Sequence, residues 1–206
     1  MRAFTAAVCA LSTWVSLSAA TGQPVIDVTS CGDIVPARTL GILRNDLVCD
    51  GPFPFRTAAV QVDRRAELHL DGHTITGTHP SSPYRAGILA FTQATIRGPG
   101  VVEGFEIGID GTGMTGLGRN RLFLYDLTLR GNLWGVEQGQ GTIRGSGLAV
   151  HDNVHTGLDT RTLKLTNSTL FSNGVTSYVL DFVCTRRPRL IDVTCEHSQW
   201  GVCSLD

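Results

Sequence analysis

A glycine followed by an aliphatic residue recurs along the chain at intervals of roughly twenty to twenty-seven residues, and this repeat limits the possible folds more than any other feature. The copies read AGIL, IGID, WGVE, TGLD and WGVC, with their glycines at Gly87, Gly108, Gly135, Gly157 and Gly201. TSYVLD replaces one copy, with Ser177 at the glycine position. A drifting period of this length is typical of a solenoid, in which each repeat forms one coil.

Residues between the glycines alternate with a period of two, as in β-strands. The segments DLTLRGN, GLAVHDN, NSTLFSN and DVTCEHS begin at residues 126, 147, 167 and 192. Their aligned, mostly apolar pairs are Leu127/Leu129, Leu148/Val150, Ser168/Leu170 and Val193/Cys195. No long amphipathic helix fits between the strands, which argues against βαβ units. The sequence therefore predicts an all-β fold, a parallel β-helix of about six to seven coils spaced about 4.8 Å apart.

An asparagine closes three of these segments, at Asn132, Asn153 and Asn173. Stacked amides can hydrogen-bond along the solenoid axis, and asparagine tolerates the left-handed backbone of a tight corner. We therefore expect a structural ladder of asparagines rather than a ligand site.

The N-terminus has the features of an export signal. Arg2 precedes an uncharged apolar run, and small residues follow at positions 18–20. We therefore predict a signal peptide at 1–20, a cap segment at 21–57 and a β-helix domain at 58–206. The protein is then secreted or periplasmic. No stretch is long enough for a membrane span, and a net charge of -1 argues against nucleic-acid binding.

Five cysteines follow the predicted signal peptide, so one is left without a disulfide partner in the chain. Cys31 and Cys49 flank one segment and are expected to pair, which closes the N-terminal cap. Cys195 and Cys203 are close enough in sequence to form a second disulfide near the C-terminus. Cys184 then remains as a thiol, most simply a small buried residue.

Two further segments, DLVCDG and AELHLDGHTITG, together with the repeated glycine coils, resemble secreted right-handed parallel β-helix proteins of the pectin-lyase-like superfamily. The resemblance covers roughly residues 31–206 and implies a right-handed winding and export. It is closest to members without a settled activity. The catalytic motifs of polygalacturonases and alginate epimerases are missing, so the resemblance transfers no catalytic residues, and the fold alone hosts many functions.

The strongest candidates for a functional role are the acids at the end of three repeats, Asp110, Glu137 and Asp159. If the coils are in register, these carboxylates occupy adjacent rungs and repel one another unless they are neutralised. A calcium ion could neutralise them, and so could a substrate's cations or hydroxyls. Arginines are a third possibility, and those available are Arg121, Arg130, Arg144 and Arg161.

Two classes of function stay open. The first is a non-catalytic exported protein that binds carbohydrate or serves as a structural surface protein. The alternative is a polysaccharide lyase or epimerase acting on uronate-containing glycans at Asp110, Glu137 and Asp159. Such an enzyme needs a base near the sugar α-proton, and Arg161, two residues after Asp159, is the nearest candidate.

Overall fold

The computed structural model describes residues 22–50, 58–78, 85–112, 120–174 and 180–196. These residues form strands joined by turns, without a helix. The strands are β1 Val25–Val28, β2 Asp33–Val35, β3 Leu40–Leu43, β4 Leu47–Cys49, β5 Ala58–Val62, β6 Glu67–His69, β7 Thr74–Gly77, β8 Ala86–Ala90, β9 Thr95–Glu103, β10 Ile107–Asp110, β11 Arg121–Arg130, β12 Trp134–Ser146, β13 Ala149–His151, β14 Leu158–Phe171, β15 Phe182–Cys184 and β16 Arg189–Cys195.

The strands pair in parallel to form three stacks that run the length of the solenoid. Stack A contains β1, β3, β6 and then parts of β9, β11, β12, β14 and β16. Stack B contains β2, β5, β8, β10, the start of β12, the start of β14, and β15. Stack C contains β4, β7, and parts of β9, β11, β13, β14 and β16. The long strands turn corners and so contribute to two or three stacks each.

Side chains alternate between the interior and the surface along each strand, as a pleated strand requires. In β14, for example, Leu163 and Leu165 are buried on either side of the exposed Lys164. The inward residues of successive coils join into one continuous apolar core, which no single coil could bury alone. The predicted parallel β-helix is thus confirmed, with about six turns. Its right-handed winding stays a prediction.

The N-terminal segment is fixed by the predicted disulfide between Cys31 and Cys49, whose Cα atoms are 5.8 Å apart. Strands β1 to β4 belong to the same stacks as the later coils, so the predicted cap segment continues the solenoid. Cys184 is a buried thiol that lies 2.9 Å from the carbonyl oxygen of Arg186. Cys195 is disulfide-bonded. Its predicted partner Cys203, like the predicted signal peptide, lies outside the described residues.

The three asparagines form the expected ladder at the corner between stacks C and B, and they are almost completely buried. The Asn132 carboxamide donates to Asn153 Oδ1 at 3.1 Å, and the Asn153 carboxamide donates to Asn173 Oδ1 at 2.8 Å. Asn173 in turn donates to Asp181 Oδ1 at 2.8 Å, a fourth member that the sequence pattern does not reveal. The ladder therefore satisfies polar groups that the tight corner buries.

Four of the repeated glycines, Gly87, Gly108, Gly135 and Gly157, occupy one column of stack B next to this ladder, and Gly201 lies outside the described residues. The prediction that Ser177 continues this column is wrong, because Asp181 lies opposite Gly157. A Cβ added at Gly108 would lie 2.6 Å from the carbonyl oxygen of Gly135, and one at Gly157 would lie 2.5 Å from that of Asp181. The coils approach each other so closely here that a side chain has no room. Close approach of neighbouring backbones, rather than chemistry at a ligand, explains why the repeat begins with glycine.

The corner between stacks A and C is a single residue in each of the last four coils. These residues are Asp126, Gly147, Asn167 and Asp192, with φ values of 55°, 68°, 46° and 52°. Such left-handed backbone is favourable for glycine and is tolerated by Asn and Asp. We refer to these four residues as the crease.

Candidate functional site

The three candidate carboxylates lie on consecutive rungs of stack B, as the repeat predicts. Asp110 is in register with Glu137, and Glu137 is in register with Asp159. Their side chains point outward and are half-buried, with Leu89 on the preceding rung and Val183 on the following one. We call Asp110, Glu137 and Asp159 the acid ladder.

Two members of the acid ladder have local partners. Asp110 Oδ1 accepts hydrogen bonds from the backbone N–H of Thr112 at 2.8 Å and from the Thr112 hydroxyl at 2.5 Å. The guanidinium of Arg85 lies 3.6 Å from Glu137 Oε2 and 3.3 Å from Glu106 Oε1. Arg85 therefore spans two rungs and partly neutralises the middle of the ladder.

Burial makes Glu137 and Asp159 more easily protonated than free carboxylates. Burial is the main cause of the raised pKa of Glu137; the neighbouring Asp110 raises it further, while Arg85 opposes the increase. Burial also raises the pKa of Asp159. Both shifts have the direction expected when a carboxylate loses hydration.

Arg85, which contacts the acid ladder, is not among the four arginines predicted as partners of the ladder. Arg130 pairs with Glu103 in stack C, and Arg144 lies on stack A. The Arg161 carbonyl accepts hydrogen bonds from the Arg186 N–H and the Thr185 hydroxyl. Within the described ranges, the Arg161 guanidinium forms no ion pair with the ladder. Arg85, directly before the AGIL repeat, was missed because its side chain reaches two coils ahead.

Calcium binding by the acid ladder stays a prediction. Oxygen ligands on adjacent rungs suit calcium, but Asp110 is engaged by Thr112 and Glu137 faces a guanidinium. Among the residues described, no group of three or more His, Cys, Asp and Glu side chains is placed to hold a metal ion.

An apolar strip runs beside the acid ladder on the outside of stack B. Ala58, Ala86 and Ile107 are buried against one another, and Leu89 and Trp134 pack on them. The Trp134 ring lies 5.2 Å from the His155 ring at an angle of 48°. Trp134 precedes Glu137 by three residues in β12 and is half-buried. The site thus places carboxylate acceptors next to a partly exposed indole ring.

Comparisons with protein-family models, with curated proteins and with solved structures found no match to this chain. Within the residue ranges that the structure describes, no helix is long and apolar enough to span a membrane.

The raised pKa of Glu137 predicts a pH dependence of stability. The folded protein binds this proton more tightly than the unfolded chain does, so the stabilising contribution is complete below the ordinary value of 4.5 and is lost as the pH rises through the folded pKa. We expect the free energy of unfolding of the wild type, minus that of Glu137→Gln, to be larger at pH 4 than at pH 7. Urea unfolding of both proteins at the two pH values measures this difference. A difference independent of pH would contradict the shift.

Proposed function

We propose that this protein is an exported, non-catalytic β-helix protein that binds a polysaccharide along the outer face of stack B. The observation that carries the proposal is the acid ladder, three carboxylates in register beside the half-buried Trp134. Carboxylates accept hydrogen bonds from hydroxyl groups, and an aromatic ring offers an apolar surface with a polar edge. Together they suit a hydroxyl-rich sugar chain lying along the rungs.

The contacts of the ladder favour binding over catalysis. A lyase or epimerase needs a base free to take the sugar α-proton. Asp110 is held by Thr112, Glu137 is near Arg85, and the described hydrogen bonds of Arg161 are made by its backbone. A lyase or epimerase for uronate chains, working through Arg161, therefore remains the runner-up.

Export and a relationship to pectin-lyase-like proteins form part of the same proposal. The Cys31–Cys49 disulfide supports export, because disulfides persist in oxidising compartments outside the cytosol, and the parallel solenoid supports the relationship. Support for the relationship comes from the architecture alone, which many activities share.

Thermal melts with polysaccharides test the proposal. Dextran, a neutral chain, should raise the Tm by about 5 °C or more at about one hundred times its Kd. Polygalacturonate and alginate, which carry like charge, should do so only with millimolar calcium. The shifts should disappear in the double variant Glu137→Gln/Asp159→Asn and persist in Asp71→Asn, an exposed aspartate in a distant turn.

Two results would overturn the proposal. If none of the three polysaccharides shifts the Tm, the acid ladder does not bind a glycan. If unsaturated or epimerised sugars accumulate on incubation with a uronate chain, and do not accumulate with Arg161→Gln, the enzyme is the correct alternative.

A further inference from the structure

Three bases form a column on the outer face of stack A, on the three successive rungs nearest the C-terminal end. Arg144 is in register with Lys164, and Lys164 is in register with Arg189. Rungs of a parallel stack are about 4.8 Å apart, so the charges follow one another closely. We call Arg144, Lys164 and Arg189 the basic column.

The basic column lines an open groove of about 410 Å³. A second column two residues further along each strand forms its other side. That column contains Tyr125, Ser146, Thr166 and Ile191. Two consecutive rungs therefore repeat one arrangement, a base followed two residues later by a hydroxyl: Arg144 with Ser146, and Lys164 with Thr166.

Among the described residues, the bases of this column lack the acidic partners that other surface bases have. Arg97 pairs with Glu67 at 2.5 Å, Arg130 with Glu103 at 2.7 Å, and Arg44 with Asp27 at 2.6 Å.

Within the part of the chain that the structure describes, no acid pairs with Arg144, Lys164 or Arg189. The Nε of Arg144 is also buried, with no acceptor among the described residues. Like charges on facing strand positions are destabilising, so the column has a cost in the free protein that an anion would relieve.

We propose that this groove binds a sulfated polysaccharide, whose pendent sulfate esters lie on the basic column. The Arg144 guanidinium can take two oxygens in a bidentate contact, and the Ser146 hydroxyl can donate to a third. The Lys164 ammonium offers a point charge beside the Thr166 hydroxyl. A sulfate ester presents three terminal oxygens. A carboxylate has two oxygens, and the phosphodiester of a nucleic acid has two non-bridging oxygens. The repeated pair of base and hydroxyl therefore matches the sulfate ester best.

The geometry also favours a chain of sugars over a nucleic acid. The spacing of the rungs is close to the length of one pyranose ring in an extended chain, whereas successive phosphates of an extended single strand are further apart. At the N-terminal end of the groove, the Arg97 guanidinium packs over the Tyr125 ring at 4.3 Å and fixes that ring. Since the net charge is -1, attraction would be local and sensitive to salt.

Isothermal titration of the mature protein with dextran sulfate tests the inference, and dextran, which should bind only at the acid ladder on stack B, is the uncharged reference. We expect the double variant Lys164→Gln/Arg189→Gln to bind dextran sulfate at least about tenfold more weakly. The matched control Arg38→Gln/Arg64→Gln removes the same charge from two exposed arginines in the N-terminal coils and should bind as the wild type does. Equal weakening in both double variants, or no binding by the wild type, would overturn the inference.

Three more ligands and one more variant sharpen the test. Phosphorylated dextran presents the same three oxygens and should bind, so its failure to bind would contradict the oxygen count. Polygalacturonate and oligothymidylate should bind more weakly than dextran sulfate at equal charge. If either bound as tightly as dextran sulfate, that result would also contradict the oxygen count. This inference goes beyond the proposed function, and the two can fail separately. The double variant Glu137→Gln/Asp159→Asn, which changes stack B, should leave the binding of dextran sulfate unchanged.

Discussion

Replacing Gly108 by alanine should lower the free energy of unfolding by about 3 kcal/mol, because overpacking at a site enclosed by backbone cannot relax cheaply. The new Cβ would lie 2.6 Å from the carbonyl oxygen of Gly135 and 2.9 Å from Asn132 Nδ2. Neither atom belongs to a flexible side-chain end, since Asn132 is fixed in the buried ladder. The coils would have to separate at this corner, which weakens strand pairing as well. The shift of the urea midpoint measures the loss.

Gly22→Ala is the matched control for this substitution. A Cβ at Gly22 meets no atom within 4 Å, so the midpoint should stay within about 0.5 kcal/mol of the wild type. If Gly108→Ala were as stable as Gly22→Ala, the close approach of the coils would not be the reason for the repeated glycine.

Replacing Asn153 by alanine should cost about 2–4 kcal/mol, because several buried polar groups lose their partners at once. Asn153 Oδ1 accepts from both the backbone and the side chain of Asn132. Its carboxamide nitrogen donates to the carbonyl of Leu129 and to Asn173 Oδ1. Asn153→Asp should be at least as damaging near neutral pH, since it replaces the donor by a buried negative charge. Urea unfolding again gives the change.

Asn45→Ala is the corresponding exposed control. Its carboxamide donates to backbone carbonyls at the surface, where water replaces the protein partner, so a loss under about 0.5 kcal/mol is expected. A similar small loss for Asn153→Ala would show that the ladder contributes little to stability and that the corner is held by the strands alone.

The sequence predicts the fold well because the same spatial requirement recurs in several successive coils. Each glycine such as Gly108 or Gly157 marks the place where backbones meet, and each asparagine such as Asn153 marks the next buried corner. Once these residues are aligned, the register follows, and with it the acid ladder. The end of the asparagine ladder at Asp181 is not predictable in this way, because an aspartate eight residues after Asn173 does not match the repeat.

The partners of the acid ladder and the basic column are less apparent in the sequence. Arg85 acts across two rungs, and no short-range pattern shows how far a flexible side chain extends. The sequence does indicate the basic column, but only when the segments of stack A are aligned with one another as well as the asparagines. The segments TIRGS, TLKLT and RPRLI place Arg144, Lys164 and Arg189 at one position of stack A.

The crease determines where this solenoid can change in length during evolution. A single left-handed residue such as Asp126 or Asn167 joins stacks A and C in the last four coils, so one extra residue there would shift the following strand by one position and exchange its inner and outer faces. Insertions should therefore accumulate at the other corners, where the chain already varies, as between β10 and β11. The basic column, three residues before the crease on each strand, is protected from such changes, and the same surface can lengthen only by adding whole coils.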